Sequence, residues 1–155
     1  SNGSTFYFTL HTEKSNKTIE DGGWACKITN IKKILLVDNE VDITYALTNA
    51  LENYGFNIAS FNDPILALNS YASNIYDLVI LDIKMPKMDG FELYNKIREK
   101  DPQVKICFLT ASELFYEEFR KTRYMLGEKL GEEYFIQKPI KTDELVQKMN
   151  VLMNI

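Results

Sequence analysis

The sequence predicts an α/β fold, a parallel sheet covered by helices on both faces, and three observations carry that prediction. From residue 31 onward, short apolar runs alternate with amphipathic stretches of helical length. The apolar runs are unbroken, as in Leu78-Val-Ile-Leu81, which is the pattern of strands buried on both faces. Between the runs, glycine and Asp-Pro pairs punctuate the chain where helices start and stop.

Taken in order, strands are expected near 33–37, 56–60, 78–81, 104–109 and 133–136. The first helix follows from Ile43, Leu47, Ala50, Leu51 and Tyr54, which recur at helical spacing, and Gly55 ends it. Asp63-Pro64 opens the second helix as cap and first-turn proline. Asp89-Gly90 opens the third, Phe91, Tyr94 and Ile97 form its apolar stripe, and Asp101-Pro102 closes it. Between Thr110 and Lys138 the chain is several residues longer than a compact helix with two short connections needs. Phe115, Phe119, Thr122, Leu126 and Leu130 share one helical face there, so the fourth helix is expected to be lengthened. Tyr116 and Tyr124 would then point elsewhere, either as solvated tyrosines or as a docking surface. Leu145, Met149 and Leu152 give the fifth helix. Five strands and five helices in alternation make a flavodoxin-like (βα)5 three-layer sandwich, with its parallel sheet in the order 2-1-3-4-5.

A chain of 155 residues with 45% hydrophobic content has room for one well-buried core and too little for two ordinary domains. The expected division is an N-terminal extension or linker over 1–30 and one domain over 31–155. The net charge of −4 argues against a nucleic-acid surface, which needs clustered Lys and Arg. No apolar run is long enough to span a membrane, and no basic segment followed by an apolar stretch marks a signal peptide, so no direct membrane contact is expected. The two cysteines, Cys26 and Cys107, have neither metal-ligand spacing nor the look of a disulfide framework, which points to a reducing, cytoplasmic compartment. The single histidine, His11, lies outside the predicted domain, which excludes a histidine general base or a histidine-built zinc site within it.

Open α/β sheets place their sites at the carboxyl ends of the strands. Here the first run leads into Asp38-Asn39-Glu40, the third ends in Asp82 and continues Ile83-Lys84-Met85-Pro86-Lys87-Met88-Asp89-Gly90, the fourth leads into Thr110-Ala111, and the fifth into Lys138-Pro139. Acid, acid, hydroxyl and amine would meet in one crevice. Singly, each has an ordinary explanation: a lone Asp at a strand end is more often a cap, Asp38 included, and Lys-Pro alone is a turn. Met85 and Met88 read as packing and loop residues, and Asp89-Gly90 as structural. Jointly, four motifs in this order resemble the receiver domain of two-component response regulators, over roughly residues 31–155.

The resemblance implies that Asp82 accepts a phosphoryl group from the phosphohistidine of a histidine kinase or a histidine phosphotransfer protein. It implies Mg²⁺ held by Asp38 directly or through water, Asn39, Asp82 and the carbonyl of Lys84, an all-oxygen set suited to a hard divalent ion. Lys138 and Thr110 would each meet a phosphoryl oxygen, with Pro139 in the family's cis-proline turn. Thr110 and Phe135 would move together as a switch, read out through the fourth helix, fifth strand and fifth helix, a face that also offers a homodimer contact. Lys84 and Ser112 occupy positions that govern access of hydrolytic water. Asn39 departs from the family, which usually has a second acid there. A unit charge pair at about 4 Å and an effective dielectric of about 20 is worth roughly 4 kcal/mol before desolvation, so weaker Mg²⁺ binding and slower phosphorylation are expected. A pseudo-receiver acting without phosphorylation is the alternative that Asn39 leaves open.

Two other classes fit less well. Aspartyl-phosphate phosphatases share the chemistry but carry an Asp-x-Asp motif after the first strand, where this chain has Asp38-Asn39-Glu40. A flavin-binding module would need a phosphate-cradling loop at that place, and an acidic loop repels phosphate. The alternating string Gly3-Ser-Thr-Phe-Tyr-Phe-Thr-Leu10 looks like the closing strand of the ATP-binding domain of histidine kinases, as in a hybrid kinase, or is a strap across the sheet. The chain given ends with the fifth helix, so output is expected through protein contact or through a parent polypeptide.

Overall fold

Strand β1 (Lys33–Val37) pairs in parallel with β2 (Asn57–Phe61) on one side and β3 (Leu78–Asp82) on the other. β3 in turn pairs with β4 (Lys105–Thr110), and β4 with β5 (Phe135–Gln137). The sheet therefore has five strands in the order β2-β1-β3-β4-β5, as expected. These relations come from a computed structural model that describes residues 30–111 and 131–155. The expected lengthening of the fourth helix with Tyr116 and Tyr124, the N-terminal string, Cys26, His11 and Ser112 lie outside the described residues.

Four helices accompany the sheet among the described residues: α1 (Val41–Asn53), α2 (Pro64–Ser70), α3 (Gly90–Lys100) and the C-terminal α4 (Thr142–Met153), the fifth predicted from the sequence. Alternate strand residues face opposite layers. Leu35, Val37, Val79, Leu81, Ile106 and Phe108 pack with Ala67, Leu93, Tyr94 and Ile97 of α2 and α3. Ile34, Leu36, Leu78, Ile80, Cys107 and Leu109 pack with Leu51 of α1 and with Leu145, Met149 and Leu152 of α4. A central strand buried from both sides needs apolar side chains at every position, which is why its sequence shows no alternation. Among the described residues, no helix is long and apolar enough to cross a membrane.

Local chemistry sets the element ends. The Asp63 carboxylate accepts from the Ile65 and Leu66 N–H groups, and Pro64 fills the first helical position. Asp89 and Glu92 form a reciprocal capping box on α3, a signal present in the sequence as Asp-x-x-Glu. Gly55 turns the chain out of α1 at φ +90°, which an L side chain rarely adopts. β2 begins one residue later than expected because Phe56 still donates to Leu51 of the helix, and pairing starts with Asn57 donating to Lys32. β5 is shorter than expected: its first residues form a 3₁₀ turn, Glu132–Tyr134.

At the end of the sheet away from the strand tips, Asp101 closes α3 and is buried. Burial pushes its carboxyl up, but N–H donors from Asn74, Gln103 and Val104 and the Tyr71 hydroxyl outweigh this and hold it below the usual aspartate value. A depressed carboxyl contributes stability that is present above the unfolded-state value near 4 and lost as pH falls through the lower folded value. Asp101→Asn is expected to cost about 2 kcal/mol at pH 7, since it removes the charge from several hydrogen bonds, and urea unfolding at pH 7 and pH 4 measures whether the loss shrinks in acid.

Candidate functional site

The carboxyl ends of β1, β3, β4 and β5 bring Asp38, Asp82, Thr110 and Lys138 to one edge. Asp38 follows β1 directly and is fully buried. Its N–H continues the ladder to the Phe61 carbonyl at 3.1 Å, and its Oδ1 accepts the Glu40 N–H at 2.9 Å. It does not cap α1, because the cap position belongs to Glu40. Asn62 holds the turn from the β2 side, its amide donating to the Asp38 carbonyl at 2.8 Å and to Thr44 Oγ1 at 2.5 Å. Thr44 is itself buried and donates back into the first turn of α1.

Asp82 ends β3 opposite Leu109, and the Ile83 N–H extends that pairing to the Leu109 carbonyl at 3.1 Å. Gly90 backs it: a Cβ there would lie 2.4 Å from the Asp82 carbonyl oxygen, and the Gly90 N–H donates to Ile83 at 2.9 Å. Only glycine allows the two backbones to approach so closely. Gly90→Ala is expected to cost about 2 kcal/mol or more through forced backbone displacement and to slow any chemistry at Asp82, which thermal unfolding alongside an Asp82 modification assay would measure. The far end of the same loop is tied down as well. Lys87, at φ +70°, pairs with Asp63 at 2.5 Å and so fastens the loop to the cap of α2.

Lys138 reaches the crevice from β5. Its N–H donates to the Thr110 carbonyl at 2.7 Å, the peptide to Pro139 is cis, and its side chain is 12% exposed. The ammonium lies 2.5 Å from Asp38 Oδ2, 3.5 Å from Asp82 Oδ1 and 3.9 Å from Glu40 Oε1. Burial favours loss of its proton, but the hydrogen bond to Asp38 and the charges of Asp82, Asp38 and Glu40 outweigh that and raise its pKa. Burial, then the adjacent Asp38 charge, push Asp82 up to about 6 against the opposing pull of Lys138. Lys138 is therefore shared among three carboxylates.

The half-buried Asn39 side chain lies across this charge. With its nitrogen inward it donates to Asp82 Oδ2 and to the Lys84 carbonyl, both at 3.1 Å, while the opposite orientation sets three oxygens facing each other without a donor. Those three oxygens, with Asp38 beside them, are the hard donors that a divalent cation such as Mg²⁺ requires. Among the described residues no three His, Cys, Asp or Glu side chains are gathered as a metal site. A cation here relies on one carbonyl and one amide for part of its ligand set, and the residues present fit that role.

Among the described residues, the site residues expected from the sequence, Phe135 excepted, sit at this edge. Phe135 is buried below it, stacked on Phe108 at 5.2 Å, and Phe108 also meets Phe91 and Tyr94. In the strand register Thr110 lies opposite Gln137, and Phe135 opposite Phe108. Met85 and Met88 are core residues, as expected. Sequence reasoning missed Asn62 and Thr44, which share no motif with Asp38, and gave Gly90 no role at Asp82. The approach of Glu40 to Lys138 was open to inspection, since Glu40 follows the acidic pair directly.

The sequence model of the response regulator receiver domain matches residues 34–150. The chain is 33% identical over 122 residues to the alkaline phosphatase synthesis transcriptional regulatory protein PhoP of Bacillus subtilis, covering 79% of this chain and 48% of that protein. It is 34% identical over 122 residues to the transcriptional regulatory protein CssR of the same organism, covering 79% and 51%. The chain thus spans about half the length of these curated relatives. Among solved structures it is similar to the non-phosphorylated HemR receiver domain from Leptospira biflexa, at TM-score 0.67 and 28% identity over 80% of this chain and 95% of that one. A signal receiver domain of an HD domain-containing protein from Pseudomonas fluorescens matches at TM-score 0.68 and 25% identity, again over 80% and 95%.

Proposed function

The chain belongs to the response regulator receiver domain family, and on that footing we propose that it is a phosphoacceptor with Asp82 as the accepting residue. The observation that carries this reading is the Lys138 ammonium within 3.5 Å of Asp82 and 2.5 Å of Asp38 in a nearly closed crevice. The donor is a phosphohistidine on a histidine kinase or a histidine phosphotransfer protein. An Asp82 carboxylate oxygen attacks phosphorus, the phosphorus–nitrogen bond to the imidazole breaks, and an acyl phosphate forms. Lys138 turns part of its bonding from Asp38 to a phosphoryl oxygen, and the Thr110 hydroxyl meets another. Asp82, Asn39 and the Lys84 carbonyl, with Asp38, would hold Mg²⁺, which would supply the remaining neutralisation of phosphoryl charge.

The altered crevice is then read by movement of Thr110 and Phe135 toward a protein partner. Such a switch requires Phe135 to exchange its stacking on Phe108 for another arrangement, and identical spectra of that face with and without phosphate would contradict it. The proposal places the domain in a cytoplasmic setting, in line with the free and buried Cys107. The test is intact mass after incubation with Mg²⁺ and acetyl phosphate: one added phosphoryl group is expected, and none in Asp82→Asn. A second reading, an interaction module that works without phosphorylation, is favoured by Asn39, whose amide with its nitrogen inward lies within hydrogen-bond reach of Asp82 and needs no metal there. No mass addition at any Mg²⁺ concentration would select it.

A further inference from the structure

The Asn39 carboxamide differs from a carboxylate in one respect that matters here: its two ends are a donor and an acceptor. Nitrogen inward, it bridges Asp82 Oδ2 and the Lys84 carbonyl with two hydrogen bonds of 3.1 Å. Oxygen inward, the same heavy-atom outline presents three acceptors to one point, an arrangement suited to a cation. We infer that Asn39 is a rotating gate on the cation site, closing it by bridging Asp82 and Lys84 in the metal-free protein and opening it by a half-turn of the amide when a divalent cation binds. The inference rests on the phosphoacceptor reading for its cation, but the closed state needs no cation at all.

A hydrogen bond to a carboxylate is stronger than one between neutral groups. The closed state therefore stabilises the metal-free crevice, where a second carboxylate would add like charge beside Asp38 and Asp82. The same two bonds oppose the cation, which has to displace both before it gains the amide oxygen as a ligand. Asn39 is thus a positioning residue whose weak cation binding arises from competition as well as from a missing charge. The competition is read directly from the Asn39 amide itself, which is hydrogen-bonded in the closed state and released in the open one.

The deciding experiment is nuclear magnetic resonance of the protein with ¹⁵N-labelled asparagine, with the Asn39 side-chain signals assigned by their loss in Asn39→Asp. In EDTA the Asn39 NH₂ protons are expected to exchange with water more slowly than those of exposed asparagines. Titration with Mg²⁺ should abolish that protection with the same midpoint as binding measured by calorimetry. Asn39→Asp should bind Mg²⁺ about tenfold more tightly or better, equivalent to about 1.4 kcal/mol. An Asn39 amide that exchanges freely in EDTA, or one that stays protected at saturating Mg²⁺, would overturn the gate. If neither the native protein nor Asn39→Asp binds Mg²⁺, the cation part of the phosphoacceptor reading fails along with the gate. Binding by Asn39→Asp with an unprotected native amide sinks the gate alone.

Discussion

Lys138→Ala is expected to destabilise the metal-free protein by about 3 kcal/mol at pH 8, a loss in the range seen when one partner of a buried ion pair is removed. Lys138 is the cation between Asp38, which is fully buried, and Asp82, which is 5% exposed. Without it the two carboxylates face each other across the crevice with no compensating charge. The loss should shrink as pH falls, beginning above the native Asp82 value of about 6 because the variant lacks the lysine that lowers it, since Asp82 then takes up a proton and the repulsion ends. Mg²⁺ should restore part of the lost stability, since a cation at the strand tips does the same neutralising work. Urea denaturation at pH 8 and pH 5.5, each with EDTA and with Mg²⁺, measures all of this. A loss of equal size under every condition would assign the effect to packing of the lysine stem instead of to charge.

Asp82→Asn should have the opposite effect on stability while abolishing phosphoryl uptake. The folded-state value of Asp82 is about 6, above the ordinary 3.8, so the folded protein favours its neutral form. Such a group adds stability that is fully present below the unfolded-state value and lost as pH rises through the folded value. Above pH 6 the native protein therefore carries a penalty that the amide does not. Each tenfold change in proton affinity is worth about 1.4 kcal/mol, and screening at the crevice mouth reduces the total, so a gain of about 1–2 kcal/mol is expected at pH 8. It should fade toward pH 4, where both forms are neutral. Chemical unfolding in EDTA across that range is the check, and a variant less stable than the native protein at pH 8 would mean that the ion pair with Lys138 outweighs burial and repulsion. Site residues that lower stability in exchange for function are a general cost of burying charge.

The element positions and the four tip residues were legible in the sequence because they rest on local signals, and the strand order followed from the flavodoxin-like pattern those elements make. Unbroken apolar runs, a proline after Asp63 and a glycine at the end of α1 each report their own neighbourhood. What was not legible depends on approach between distant segments. Asn62 reaches the Asp38 turn from another strand, and nothing in its surroundings distinguishes it from a loop asparagine. Gly90 reads as a helix opener, and its closeness to the Asp82 carbonyl follows only from how the loop over 83–89 folds back. The pairing of Lys87 with Asp63 joins two loops that are separate in the chain. Asn39 was recognised as one missing charge, but its donor end is a matter of orientation, which composition does not encode. Phe135 was expected to take part in a switch, and the packing that any such motion must break, a ring stacked on Phe108, is a tertiary fact.

The central claim is that Asp82, and no other carboxylate in the crevice, takes the phosphoryl group. Borohydride reduces an acyl phosphate to the alcohol, so an aspartyl phosphate becomes homoserine and leaves a mass change at its position. Peptide mapping after treatment with acetyl phosphate, Mg²⁺ and borohydride is predicted to find homoserine at position 82 alone. Homoserine at position 38, or none in protein that retains its fold and binds Mg²⁺, would contradict the account.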